Sequence, residues 1–180
     1  MTRPPAAASP AGPTAIPQPS GAIPAGWQVY RGPAEFPIVV AYPPDWTVNA
    51  SQLPGQRVIY LYGPDGRGAV ERIDIGVGQT QTGANIDVQR DAFFYRKSAF
   101  CDRKGIEFTE HRPVAGATFA VLGATCDASN ELSFMLVASG LVGGDEWNVL
   151  MRTPYARRDA RRREVFDPML ASLTIYARAP

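Results

Sequence analysis

A break in composition at residue 26 constrains this chain more than any other feature. Residues 1–25 (MTRPPAAASPAGPTAIPQPSGAIPA) hold seven of the 17 prolines, no aromatic residue and a single charge, Arg3. Such a stretch cannot bury enough apolar surface to offset the entropy of ordering it. Proline biases it toward extended polyproline II, which rises about 3 Å per residue and makes a semi-stiff spacer. Sequence therefore assigns 1–25 to a disordered Pro/Ala-rich tether and 26–180 to one globular domain. With 45% hydrophobic residues over 180 positions, the chain can build one sizeable core.

Charge and hydropathy remove several classes of function. Eighteen Lys+Arg stand against 17 Asp+Glu, a net charge of +1, which excludes nucleic acid as a whole-molecule partner. No apolar run reaches the roughly 18 residues of a membrane-crossing helix. Only Lys97 and Lys104 are lysines, and that arginine bias names no function. After Arg3 come prolines, without the apolar stretch of about 7–15 residues that marks a signal peptide. Either the protein is cytoplasmic, or an export segment belongs before a spacer that starts so abruptly. The second is the expectation here: an extracytoplasmic domain, membrane-tethered in the full-length protein.

Cys101 and Cys126 lie 25 positions apart, with no CxxC pair and no histidine cluster to make a zinc site. In an exported chain an even count points to a disulfide, worth about 3 kcal/mol for a loop of this length on the chain-entropy model. Two separate buried thiols, or a thiol nucleophile, are the alternatives.

Apolar periodicity supplies the elements. Residues 27–31 alternate, 36–42 form an apolar run, and Pro43-Pro44 turns the chain before a short strand at 46–48. Strands at 57–62 and 69–77 are joined by Gly63-Pro64-Asp65-Gly66, where Pro presets φ and Gly takes positive φ. The glycine-containing loop at 76–84 has neither the helix-opening GxGxxG spacing nor a Walker lysine, so it reads as a connection. Asn85 or Asp87 caps a helix expected to run to about Lys104, stopped by Gly105. Strands follow at 106–112, 117–126, 132–142 and 146–152, the last two flanking a Gly143-Gly144-Asp145 hairpin turn. A second helix starts near Ala156, and Val165, Phe166, Met169, Leu170 and Leu173 make its apolar stripe. Pro168 inside that stripe predicts a kink or short break near Asp167. Strands, helix, strands, helix define an α+β class: a central twisted antiparallel sheet flanked by helices, an α/β/α sandwich.

Two short signatures add a resemblance. The opening Trp27…Tyr42-Pro43-Pro44-Asp45-Trp46 and the closing Phe166-Asp167-Pro168-Met169-Leu170-Ala171-Ser172-Leu173 resemble the start and the last helix of the Mog/PsbP-like fold. The match covers roughly 26–176. It implies a central antiparallel sheet with flanking helices and mostly non-enzymatic roles. These include extrinsic photosystem II subunits, a Ran-binding protein, and bacterial lipoproteins with a proline-rich spacer. No catalytic motif of that family stands in this chain.

Few residue sets could carry chemistry. His111 is the only histidine, so an HExxH pairing is impossible and a metal centre is not expected. A Cys101–His111 nucleophile pair would suit a small hydrolase, though a disulfide would consume the thiol; no GxSxG elbow exists. Asp145-Glu146 reads as a hairpin tip, and Glu71 and Asp74 face opposite ways on one strand, so no acid/base dyad converges. The densest charge run is 157–164. On a helix Arg157/Arg161 and Arg158/Arg162 stack at i,i+4 into a basic ridge suited to anionic lipid or an acidic partner, unless it is simply a solvated face. The tryptophans and tyrosines are read as packing residues, with an aromatic ligand face as the alternative. Taken together, the expectation is a non-enzymatic extracytoplasmic interaction or accessory module without a cofactor. Its expected partner is a protein or membrane-associated complex, with an anionic membrane surface in second place. A small hydrolase and a cytoplasmic adaptor or trafficking factor are the rival readings.

Overall fold

A computed structural model describes residues 18–50, 57–64, 71–78, 85–129 and 131–176. Most of the expected tether (1–17), the turn at 65–70 and the loop at 79–84 lie outside the described residues. Among the described residues, ten strands, one N-terminal-side helix and a helical C-terminal segment make three layers. The central layer is a seven-stranded antiparallel sheet in the order β3-β4-β5-β9-β8-β7-β6. Its strands are β3 (Thr47–Ala50), β4 (Val58–Tyr62), β5 (Arg72–Val77), β6 (Arg103–Val114), β7 (Ala117–Ala128), β8 (Glu131–Val142) and β9 (Asp145–Pro154). Helix α1 (Ile86–Lys97) covers one face. A small sheet of β1 (Gln28–Arg31), β2 (Ile38–Tyr42) and β10 (Thr174–Ile175) covers the other, together with the C-terminal helical segment.

Period-2 alternation explains the layering, because adjacent side chains on a strand point to opposite faces. Ile73 and Ile75 of β5, Val149 and Met151 of β9, and Phe134 and Leu136 of β8 turn one way. There they meet Ile38 and Val40 of β2 and the stripe of Phe166, Met169 and Leu170. Their neighbours Leu150, Met135, Val137 and Leu122 turn the other way, against Phe93 and Phe94 of α1. Both faces of β7, β8 and β9 are thus buried, which is why those strands read as nearly continuous apolar runs. Gly143 and Gly144 both take positive φ at the β8–β9 turn, as their position predicted.

Helix α1 begins at the expected cap: Asn85 Oδ1 accepts the Asp87 amide at 2.8 Å. It ends seven residues short of the expected Lys104. The Ser98 amide bonds back to the Phe94 carbonyl and the Cys101 amide to the Ser98 carbonyl, closing the helix into a turn. Residues from Arg103 onward then pair along β7, and Gly105, expected as a helix stop, sits inside β6 opposite Thr125. Long-range pairing overrides local helix propensity here.

The C-terminal segment is four short pieces: a 3-10 turn (Tyr155–Arg157), α2 (Arg158–Arg161), a π-turn (Arg162–Phe166) and α3 (Asp167–Ser172). Pro168 has no N–H to offer the Glu164 carbonyl and would clash with it in a regular helix. The chain widens instead, and the Asp167 amide reaches back five residues to the Arg162 carbonyl. The break predicted near Asp167 lies in this π-turn. Ser172 closes α3 onto the small sheet, accepting the Ala41 amide at 3.0 Å while donating to the Met169 carbonyl.

Residues 18–25, counted with the tether in the sequence, lie against the domain. The Ser20 amide bonds to the Ser172 carbonyl, its hydroxyl donates to the Leu173 carbonyl, and the Thr174 hydroxyl donates to the Gln18 carbonyl. Gly21 approaches so closely that a Cβ there would stand 2.6 Å from the Ala171 carbonyl oxygen. The structured part of the chain therefore begins before residue 26.

Candidate functional site

Cys101 and Cys126 form a disulfide, with Cα atoms 5.3 Å apart. Both are buried, Cys101 in the turn after α1 and Cys126 on β7. The bond ties the end of the covering helix to the sheet beneath it. It also consumes the thiol that a Cys101–His111 pair would need. His111 lies on β6, half exposed, with Nε2 3.1 Å from the Asp87 carboxylate of α1.

The four candidate binding arginines do not form one ridge. Arg161 grips Glu71 through two hydrogen bonds, Nε to Oε1 at 2.8 Å and Nη2 to Oε2 at 2.9 Å. Glu71 is 2% exposed, and its hydrogen bond holds the Arg161 guanidinium above its ordinary pKa despite burial. Arg162 donates to Glu110 at 2.8 Å, within a cluster that also holds Arg112 and Asp167. Arg158 lies over the Tyr155 ring with Glu107 at 3.7 Å. Arg157 stays 61% exposed, at 3.5 Å from Glu71. These pairs pin the C-terminal segment to the sheet, a use that i,i+4 stacking on an isolated helix does not reveal. Of the carboxylates considered as acid or base, Glu71 and Asp74 do face opposite sides of the sheet. Asp145 meets Arg57 at 3.4 Å, while Glu146 turns inward and accepts from the Asn148 amide at 2.7 Å.

The face that α1 covers is left open toward β4 and β5, because α1 packs on β7 and β8. Between the last turn of α1 and those strands lies a groove of about 370 Å³. Val58 and Tyr60 of β4 and Asp74 and Gly76 of β5 form its floor with Asn148 of β9, while Phe93, Arg96 and Lys97 of α1 form one wall and Arg57 the rim. Gly78 leaves the floor open: a Cβ there would stand 2.8 Å from Asn148 Nδ2.

Charge in the groove is unbalanced. Asp74 is 3% exposed, and its carboxylate lies 2.7 Å from Arg72 Nε and 3.9 Å from Lys97 Nζ. Burial raises its pKa above the ordinary range although Arg72, Lys97 and Arg152 pull the other way. Arg152 lies 4.1 Å from the Phe100 ring centroid, its Nε buried without a hydrogen-bond acceptor among the described residues. Burial and the nearby Arg72 lower its pKa. Arg96 is exposed and meets the Phe93 ring, and no carboxylate among the described residues lies within ion-pair reach of it. Sequence reading missed this assembly. The available signal was an acid at the centre of the RIDIGV strand, alternating with two isoleucines.

A three-layer α+β domain, an antiparallel sheet between a helix and a second helical and sheet layer, is the class these elements define. Comparison with solved structures identifies it as the PsbP-like fold. Cyanobacterial PsbP (CyanoP) from Synechocystis superposes with a TM-score of 0.63 at 15% identity, covering 84% of this chain and 94% of that one. A crystal structure from Bacteroides thetaiotaomicron gives 0.53 at 14% identity over 84% of this chain, which spans about half (49%) of that one. A Pseudomonas aeruginosa protein of unknown function gives 0.50 at 11% identity, covering 86% and 99% of the two chains. No protein-family model matches the sequence, and no curated protein is similar to it. The resemblance read from the two terminal signatures holds at the level of the fold.

Proposed function

We propose that this chain is a non-enzymatic accessory module of the extracytoplasmic space, held on its proline-rich N-terminal segment and bound to a protein or membrane-associated complex. The Cys101–Cys126 disulfide carries this reading, since such bonds persist in oxidising compartments and are rare in the cytosol. The fold is compatible with it, CyanoP being one protein built this way. The side chains that sequence offered for catalysis are engaged elsewhere: the thiols in the disulfide, His111 with Asp87, Glu71 with Arg161. A protein partner is favoured over an anionic membrane surface, because Arg158, Arg161 and Arg162 already face carboxylates of their own fold.

Thiol trapping in intact cells of the native organism tests the compartment. The full-length protein should take up a maleimide reagent only after reduction and should fractionate with the envelope. Freely reacting thiols in a cytosolic fraction would end the extracytoplasmic reading. Crosslinking from native membranes should then recover a defined protein partner.

A further inference from the structure

The groove beside α1 has apolar surface, cationic side chains and one charge, Arg96, that no carboxylate among the described residues answers. Val58, Tyr60 and Phe93 supply the apolar surface. Arg57 is partly answered by Asp145 at 3.4 Å, and Lys97 by Asp74 at 3.9 Å. Among the described residues Arg96 meets the Phe93 ring, 5.5 Å from its guanidinium, and no carboxylate. The buried carboxylate, Asp74, is held by Arg72, so it repels an anion less than a free carboxylate would. At about 370 Å³ the groove falls within the range of small-molecule sites.

We propose that this groove binds a small amphiphilic monocarboxylate, its head on Arg96 with the Asn148 amide and Lys97 alongside, its apolar body against Tyr60, Phe93 and Val58. One unanswered guanidinium calls for one negative charge, and a planar carboxylate matches its donor fork. The Asn148 amide nitrogen already donates to Glu146, and its second hydrogen is the one available to the ligand. The open floor above Gly76 and Gly78 gives the ligand its room. This site is independent of where the protein resides and of any protein partner.

Titration of the isotope-labelled full chain followed by backbone amide resonances tests it, with hexanoate and 3-phenylpropionate as probes. Both should shift the Gly76, Gly78, Asn148 and Phe93 amides saturably. Hexanamide and inorganic phosphate should bind at least about tenfold more weakly, the cost of losing one charge-assisted contact or the apolar body. Arg96→Gln, on the exposed face of α1, should weaken hexanoate by a similar factor with an unchanged melting curve. Lys97→Gln should weaken it less. Equal binding of hexanoate and hexanamide, unchanged binding to Arg96→Gln, shifts confined to other residues, or no saturable shift would each overturn the proposal. Tighter binding of a hexaglutamate peptide than of either free acid would overturn it in favour of an acidic protein segment.

Discussion

Arg157 and Arg161 stand one helical turn apart, yet the fold uses them differently. Arg161 is the main countercharge of Glu71, which is 2% exposed, whereas Arg157 reaches the same carboxylate only at 3.5 Å and remains 61% exposed. Removing one partner of a buried pair strands the other charge, at a cost of about 3 kcal/mol or more. An exposed partner contributes below about 1 kcal/mol. Arg161→Ala should therefore lower the urea midpoint strongly and Arg157→Ala barely; equal losses would contradict the pairing. Asp74 gives a second test at this scale. Its folded pKa lies above the ordinary 3.8 because burial disfavours the charge. As pH rises past that value the unfolded chain releases its proton first, so the native state loses stability relative to the unfolded one. The stability of the parent protein minus that of Asp74→Asn should fall as pH rises from about 4 until the folded pKa is passed. A difference that grows over that window would show the carboxylate to be held by its cations rather than penalised by burial. Neither environment is legible in sequence, because alternation assigns a face to each residue but not the partner that waits there.

Elements were more legible than their ends. Hairpin glycines, the Asn85 cap and the proline break each rest on local chemistry, and each has its counterpart in the structure. The end of α1 differs from the expectation because Ser98–Cys101 close into a turn and Arg103 and Lys104, both helix formers, pair with β7 instead. The N-terminal edge of the described residues depends on similar long-range contacts. Residues 18–25 have a spacer's composition, and their order comes from hydrogen bonds to α3 and β10 about 150 positions away, beyond the reach of any local signal. That contact yields a prediction. A chain starting at Gln18 keeps the Ser20 bonds, and one starting at Gly26 loses them. The shorter chain should melt lower by the worth of two or three hydrogen bonds, about 1–3 kcal/mol in all. Identical melting of the two would mean that the segment lies on the surface without contributing stability.

At the scale of the whole molecule, α1 is the one helix among the described residues on its face of a wide sheet. The opposite face is held by a sheet and a four-piece helical segment, pinned by ion pairs that include Arg158–Glu107, Arg161–Glu71 and Arg162–Glu110. The disulfide offsets that asymmetry by joining the turn after α1 to Cys126 of β7, within the cluster of Phe93, Phe94, Leu122 and Leu150. Cysteine count and spacing made the bond legible in sequence. Its role as a staple for the thinner layer was not, since that depends on α1 stopping at Lys97. Closing a loop over a separation of 25 residues restricts the unfolded chain, so reduction should cost about 2–4 kcal/mol. The loss should also be uneven. Hydrogen exchange after reduction should quicken first in α1, whose amides depend on docking, while β8 and β9, buried on both faces, keep their protection. The Cys101→Ser/Cys126→Ser variant should behave like the reduced protein. Uniform acceleration across α1 and β8 would show instead that the layers unfold as one unit. The bond would then stabilise the whole sheet through the unfolded chain rather than the helix that it tethers.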